Sequence, residues 1–370
     1  MELKFNLDDI SKRITNLHAE RITGKSYYSD SDIDENLDLY SSILKDVSLI
    51  NYPDDDIPLS KKSYNAVFES YKSISRIFPN NVSKYIIDIS KKLTEKNDFF
   101  DHIEDFHLCE LSNITDECVH NVVFDFFNKY APKYNDIFKF LIDNRLVHLK
   151  DYNPHVNSSC YYDSINTIPY VIIHNSEDAE TYSTAIHEIA HAYWYYINQR
   201  DDMKLSFYIE TPSNLSQFLY DQDRIDNNDN LISICNYFNV LKQSFFGIAL
   251  MNRLNNSKFD VKKIQENFLF YNSFKDYDLE DVAYFFTSMN CLDHASYGFS
   301  LILTLHMLKI FDNDFEKGKT FYNDYILNTP NNYMKFLKKI EFDINDIDYG
   351  IQLYRDYEDK LTNQVRKRLK

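Results

Sequence analysis

Within Thr184-Ala185-Ile186-His187-Glu188-Ile189-Ala190-His191-Ala192-Tyr193-Trp194 lies an HExxH pattern, in a run without Gly or Pro that reaches to about Asn198. On a helix, residues four apart stand one above the other on the same face, so His187 and His191 can aim two imidazoles at one metal ion. Glu188 then leans over the same ion without ligating it, placed to take a proton from a metal-activated water and pass it to a leaving amine. The flanks predict the helix. Asn175 and Ser176 are N-capping types, and Glu177, Asp178 and Glu180 bring negative charge to the first turn, where the helix dipole favours it.

Only 5 Gly and 8 Pro in 370 residues leave little punctuation for a β-rich chain, which predicts a mainly α fold. From Asp34 to Leu146 apolar and aromatic residues recur at three and four, broken at Pro53, Pro58, Pro79 and Pro132, as in a series of amphipathic helices. Between Asp151 and His174 the period shortens. His155 to Tyr162 and Ile168 to His174 read as two strands joined by a turn at Asp163 to Asn166, a small antiparallel β-sheet leading into the HExxH helix. Pro212 is expected to start or kink a second helix, and further helices are expected over Leu231 to Leu254, Val261 to Phe274, Asp293 to Phe311 and Ile347 to Arg366. The architecture expected is a multi-helix, two-lobed body around a cleft, with an N-terminal helical lobe over 1–146 and a catalytic part over 147–370.

A formal net charge of −17, with basic residues clustered only at the C-terminal end, argues against a nucleic-acid partner. Five cysteines, an odd number and without a CxxC pair, fit reduced thiols. No apolar leader or membrane-spanning run is evident, so a cytoplasmic protein without membrane association is expected.

A catalytic zinc ordinarily has three protein ligands and one open position. Glu210 is the third ligand expected, in an HExxH-x18-E arrangement, ahead of Asp201, Asp202, Asp221 and Asp223. His174 is expected to line the cleft. The phrase Tyr208-Ile209-Glu210-Thr211-Pro212-Ser213, with Thr184 three residues before His187, resembles the thimet oligopeptidase and oligoendopeptidase F group of zinc peptidases. Tyr349-Gly350-Ile351-Gln352 and Phe321-Tyr322-Asn323-Asp324-Tyr325 are similar to that group's closing helices, so that the likeness runs from about Tyr161 to Leu361. Two departures stand out. Ala190 replaces the group's glycine, and the segment Asp293-His294-Ala295-Ser296-Tyr297-Gly298-Phe299 only partly matches the tyrosine-rich stretch that hydrogen-bonds the reacting carbonyl. Tyr297, and secondarily His294, are assigned that role; a register shift of two would bring Phe299, which has no hydroxyl, there instead. The chain is also shorter than the group's usual members on the N-terminal side, which implies a reduced lid.

The resemblance implies a peptidase with one Zn2+ per chain on His187, His191 and Glu210, Glu188 as general base, and short or unfolded peptides as substrates. A strand edge such as Ile168 to His174 would hold the peptide extended. Two other readings are a processing protease for one partner peptide and a non-catalytic, zinc-containing peptide-binding protein; an intact Glu188 argues against the latter.

Overall fold

The computed structural model describes residues 114–151, 158–163, 167–176, 178–200, 206–226, 230–235, 290–330 and 332–368, together with a few isolated positions. The helices expected before residue 114, and those over 231–254 and 261–274, fall wholly or largely outside them.

Helix α1 (Asp116–Tyr130) opens on Thr115, whose hydroxyl accepts the Cys118 amide. It buries Val119, Val123, Phe126, Phe127 and Tyr130, a spacing of three and four that makes one apolar face. Pro132 begins a short 3-10 turn, where its missing N–H costs nothing, and α2 (Asn135–Asp143) follows. The chain then enters a sheet of three strands, β1 (Val147–Asp151), β2 (Ser159–Asp163) and β3 (Ile168–Asn175), in the order β1-β3-β2. The antiparallel pair expected from sequence is present, with Cys160 opposite Val171. A third strand was not anticipated. β1 runs parallel to β3, with Val147 opposite Val171, so the sheet is mixed rather than wholly antiparallel.

Strand order bears on a second expectation. β3 is the middle strand, with Ile168 to Ile172 paired to β2 and Val171 to Asn175 paired to β1, so Ile168 to His174 offers a peptide only short stretches of open edge. Its run Ile168-Pro169-Tyr170-Val171-Ile172-Ile173 is buried throughout, as suits a central strand.

Helix α3 (Ala179–Asn198) carries the HExxH pattern. Its N-cap is Asp178 rather than Asn175 or Ser176, because β3 continues through Asn175; the Asp178 carboxylate accepts the Glu180 amide at 2.8 Å. Buried residues lie on every side of α3, including Ile186, Ile189, Tyr193 and Trp194, which marks a central helix instead of a half-exposed one. It packs on α1, β2, β3 and α4. Phe127 of α1 stacks on Tyr193 with centroids 4.2 Å apart.

Helix α4 (Ser206–Gln222) has Pro212 in its interior, so this proline does not start the helix. A proline there leaves the Tyr208 carbonyl without its usual helical donor. Nearby, Ser213 and Ser216 hydroxyls donate to the Ile209 and Pro212 carbonyls, an added set of short-range bonds around the interruption. Then come α5 (Asn290–Asn313), α6 (Phe315–Phe321), a π turn over Tyr322–Ile326, α7 (Tyr333–Lys339) and α8 (Asp346–Arg368). α5 crosses both α4 and α8. The crossing with α8 is close at Gly350, where a Cβ would collide with the Leu305 side chain. Among the described residues no helix is long and apolar enough to cross a membrane.

Candidate metal centre

Three side chains from two helices converge beside the sheet. His187 and His191 stand four residues apart on α3, and Glu210 comes from the second turn of α4. The two Nε2 atoms are 3.2 Å apart, and Glu210 Oε2 lies 3.7 Å from each. Zinc held tetrahedrally at about 2.0–2.2 Å sets its N and O donors roughly 3.3–3.6 Å from one another, so the triangle lies close to the size that ion requires.

The tautomer fits as well. His187 Nδ1 donates to Gln217 Oε1 at 3.0 Å, which leaves Nε2 with its lone pair facing the triangle. Gln217 follows Glu210 by seven residues, two turns along the same face of α4. Sequence reading missed it, although that spacing was the available signal. The His191 ring has the Ile209 carbonyl beside it.

Electrostatics favour neutral imidazoles, the form that ligates metal. Burial holds His187 down to about 4, the Gln217 contact opposing. Burial, and then the neighbouring His187, hold His191 well below the usual range. Glu188 is pushed up to about 8, first by burial and next by the charge on Glu210, while the backbone N–H of Cys160 on β2 pulls the other way.

The triangle opens into a cavity of about 380 Å³ that Glu188 also lines. Tyr297 of α5 reaches the same cavity, whereas Phe299 is fully buried in the core. His294 lies on α5, but its side chain is outside the described residues. His174 is not among the lining residues; its backbone amide donates to Ser158 Oγ.

The rival acids are engaged elsewhere or not described. Asp221 accepts hydrogen bonds from Ser183, Asn230 and Ser233 at 2.7–2.9 Å, and Asp223 takes Lys129 and Tyr130. Asp201 and Asp202 lie outside the described residues. Among the described residues His187, His191 and Glu210 are the one group of three with metal-ligand spacing.

This body, a mainly helical one with a small sheet against a His-His-Glu helix pair, is similar in fold to solved peptidases. A chain assigned as a peptidase, from Chlamydophila abortus, matches at TM-score 0.52 and 12% identity, over 95% of this chain and 63% of that one. PZ peptidase A, solved with an inhibitor, matches at TM-score 0.51 and 12% identity, over 90% of this chain and 65% of its own. A structure assigned as oligoendopeptidase F from Bacillus anthracis str. Ames matches at TM-score 0.48 and 12% identity, over 96% and 69%. This chain thus spans less than two thirds of the length of the first two. No protein-family profile and no curated protein sequence matches it. At such identities the likeness is one of fold, and the mainly helical body with a small sheet is the part of the expected architecture that the described residues show.

Proposed function

We propose that the chain is a zinc-dependent peptidase acting on short or unfolded peptides. The observation that carries this reading is the convergence, in one cavity, of the His187, His191 and Glu210 triangle with the carboxylate of Glu188. Bound in the triangle, a zinc ion supplies Lewis acidity, makes water a better proton donor and offsets the negative charge of the two glutamates.

The chain's own groups do the rest. Glu188 accepts the proton of the attacking water and returns it to the nitrogen that leaves. Tyr297 donates its hydroxyl hydrogen to the carbonyl oxygen as negative charge gathers there. Peptide backbone is held along β2, the outer strand of the described sheet on this side, whose Ser159 and Cys160 line the cavity. That strand takes the role first expected of β3.

Purified protein incubated with a mixed peptide library, with and without a chelator, tests the reading by mass spectrometry. Peptide-bond cleavage that the chelator abolishes and added zinc restores is expected. Binding of peptides with no new termini would favour the non-catalytic binding protein.

A further inference from the structure

His187, His191 and Tyr195 stand at successive intervals of four on α3, so Tyr195 continues the metal-facing row by one turn. β2 carries a matching row. Cys160 and Tyr162 share a face, with Cys160 near Glu188 and Tyr162 against Tyr195. The two tyrosine rings stack 4.5 Å apart at 8°, nearly parallel, and Trp194 meets Tyr195 edge-on at 5.6 Å. Tyr195 is therefore fixed from two directions. It lines the cavity together with Cys160 and Ile209, and once His187, His191, Glu210, Glu188, Tyr297, Ser158 and Ser159 are set aside, these three complete the described lining. None of the three carries a formal charge.

We propose that Tyr195, stiffened by Tyr162, forms with Ile209 and Cys160 a side-chain subsite for a large apolar, preferentially aromatic, residue flanking the scissile bond. The inference rests on the peptidase reading for placing a peptide in this cavity. A flat ring held by a second ring offers area for stacking at little entropic cost. These three side chains offer a carboxylate or ammonium no charged partner in exchange for the hydration it would lose.

The test uses the zinc-loaded full chain and octapeptides of alanine and serine with one variable central residue, Phe, Leu, Ala, Asp or Lys. Cleavage next to that residue is followed for kcat and KM, and the Kd of each peptide is measured by anisotropy on Glu188→Gln. Phe should exceed Ala by about tenfold or more in both kcat/KM and affinity, with Asp and Lys lowest. In Tyr195→Ala the Phe-to-Ala ratio should fall below about threefold, chiefly through KM, and in Tyr195→Phe it should persist. Should Tyr195→Ala fail to fold, Tyr195→Leu serves, with loss of the preference for Phe over Leu as the expected result. An unchanged ratio in these variants, or equal Kd values across the series, overturns the subsite. If the wild type cuts nothing yet the Phe peptide binds tightest and Tyr195→Ala removes that advantage, the peptidase reading fails while the subsite stands.

Discussion

Gln217 presents a neutral amide to His187 Nδ1, and that bond leaves Nε2 as the nitrogen turned toward His191 and Glu210. Replacing it with leucine, of similar size, removes the acceptor and frees the ring to rotate. For Gln217→Leu zinc affinity should fall about 10- to 100-fold with the melting behaviour of the metal-free protein little changed. Competition against a chromophoric chelator gives the affinity directly, and equal affinities would show the contact to be incidental. Glu188 separates binding from chemistry. Glu188→Gln keeps size and hydrogen bonding but cannot accept the proton, so zinc and peptide should bind while turnover drops on the order of a thousandfold. Metal analysis beside steady-state kinetics decides it; near-normal turnover would remove Glu188 from its role. Tyr297 faces the cavity, and removing its hydroxyl in Tyr297→Phe should lower kcat by roughly a hundredfold, about 3 kcal/mol, with KM nearly constant. An unaffected kcat would pass the oxyanion role to His294 or another tyrosine. The convergence of His187, His191 and Glu210 was legible in sequence because a four-residue interval and a glutamate phrase are local signals. Gln217 and Tyr195 were not, since their importance depends on what α4 and β2 bring within reach.

Between elements, Asp221 ties α4 to Ser183 of α3 and to Asn230 and Ser233 beyond it. Burial raises its carboxyl from 3.8 to about 6, in spite of those three donors, which act in the opposite direction. A folded-state pKa above the unfolded one means that the folded chain holds the proton more tightly. Stability from this group is thus full below about pH 4 and is lost as pH rises through about 6, to a ceiling of about 3 kcal/mol. Asp221→Asn has no such titration, so the wild type should lose 1–3 kcal/mol, to order of magnitude, relative to it between pH 4 and 7. Urea unfolding of both proteins at three pH values measures the difference, and a flat difference contradicts the assignment. Sequence reading of elements worked where period and length agreed: α3 and the expected Asp293 to Phe311 and Ile347 to Arg366 helices appear with their ends moved by a few residues. It failed for β1, whose five residues Val-His-Leu-Lys-Asp carry little periodic signal and pair in parallel with β3, across a connection in sequence. Of the two roles expected of Pro212, its interior position excludes starting the helix, and the packing of α4 on α3 and α5 outweighs the local penalty of a proline there.

For the whole molecule, the three residues proposed as ligands belong to two different helices of the central core, so metal binding there would be linked to folding. His187 and His191 come from α3 and Glu210 from α4, and an unfolded chain does not hold them together. An ion that binds the folded form alone stabilises it by about 4 kcal/mol when its free concentration is a thousandfold above Kd. The melting temperature should therefore rise by several degrees on adding zinc to chelator-stripped protein. A chain with net charge −17 also gathers cations without a site, an effect that salt screens. The melts belong at about 0.15 M ionic strength, where exposed charges more than roughly 8 Å apart interact weakly. His187→Ala combined with His191→Ala is the control, since it removes two ligands and changes the net charge at neutral pH not at all. A zinc-dependent rise in the wild type that vanishes in the double variant is the expected result. An equal rise in both would place the bound zinc outside this triangle.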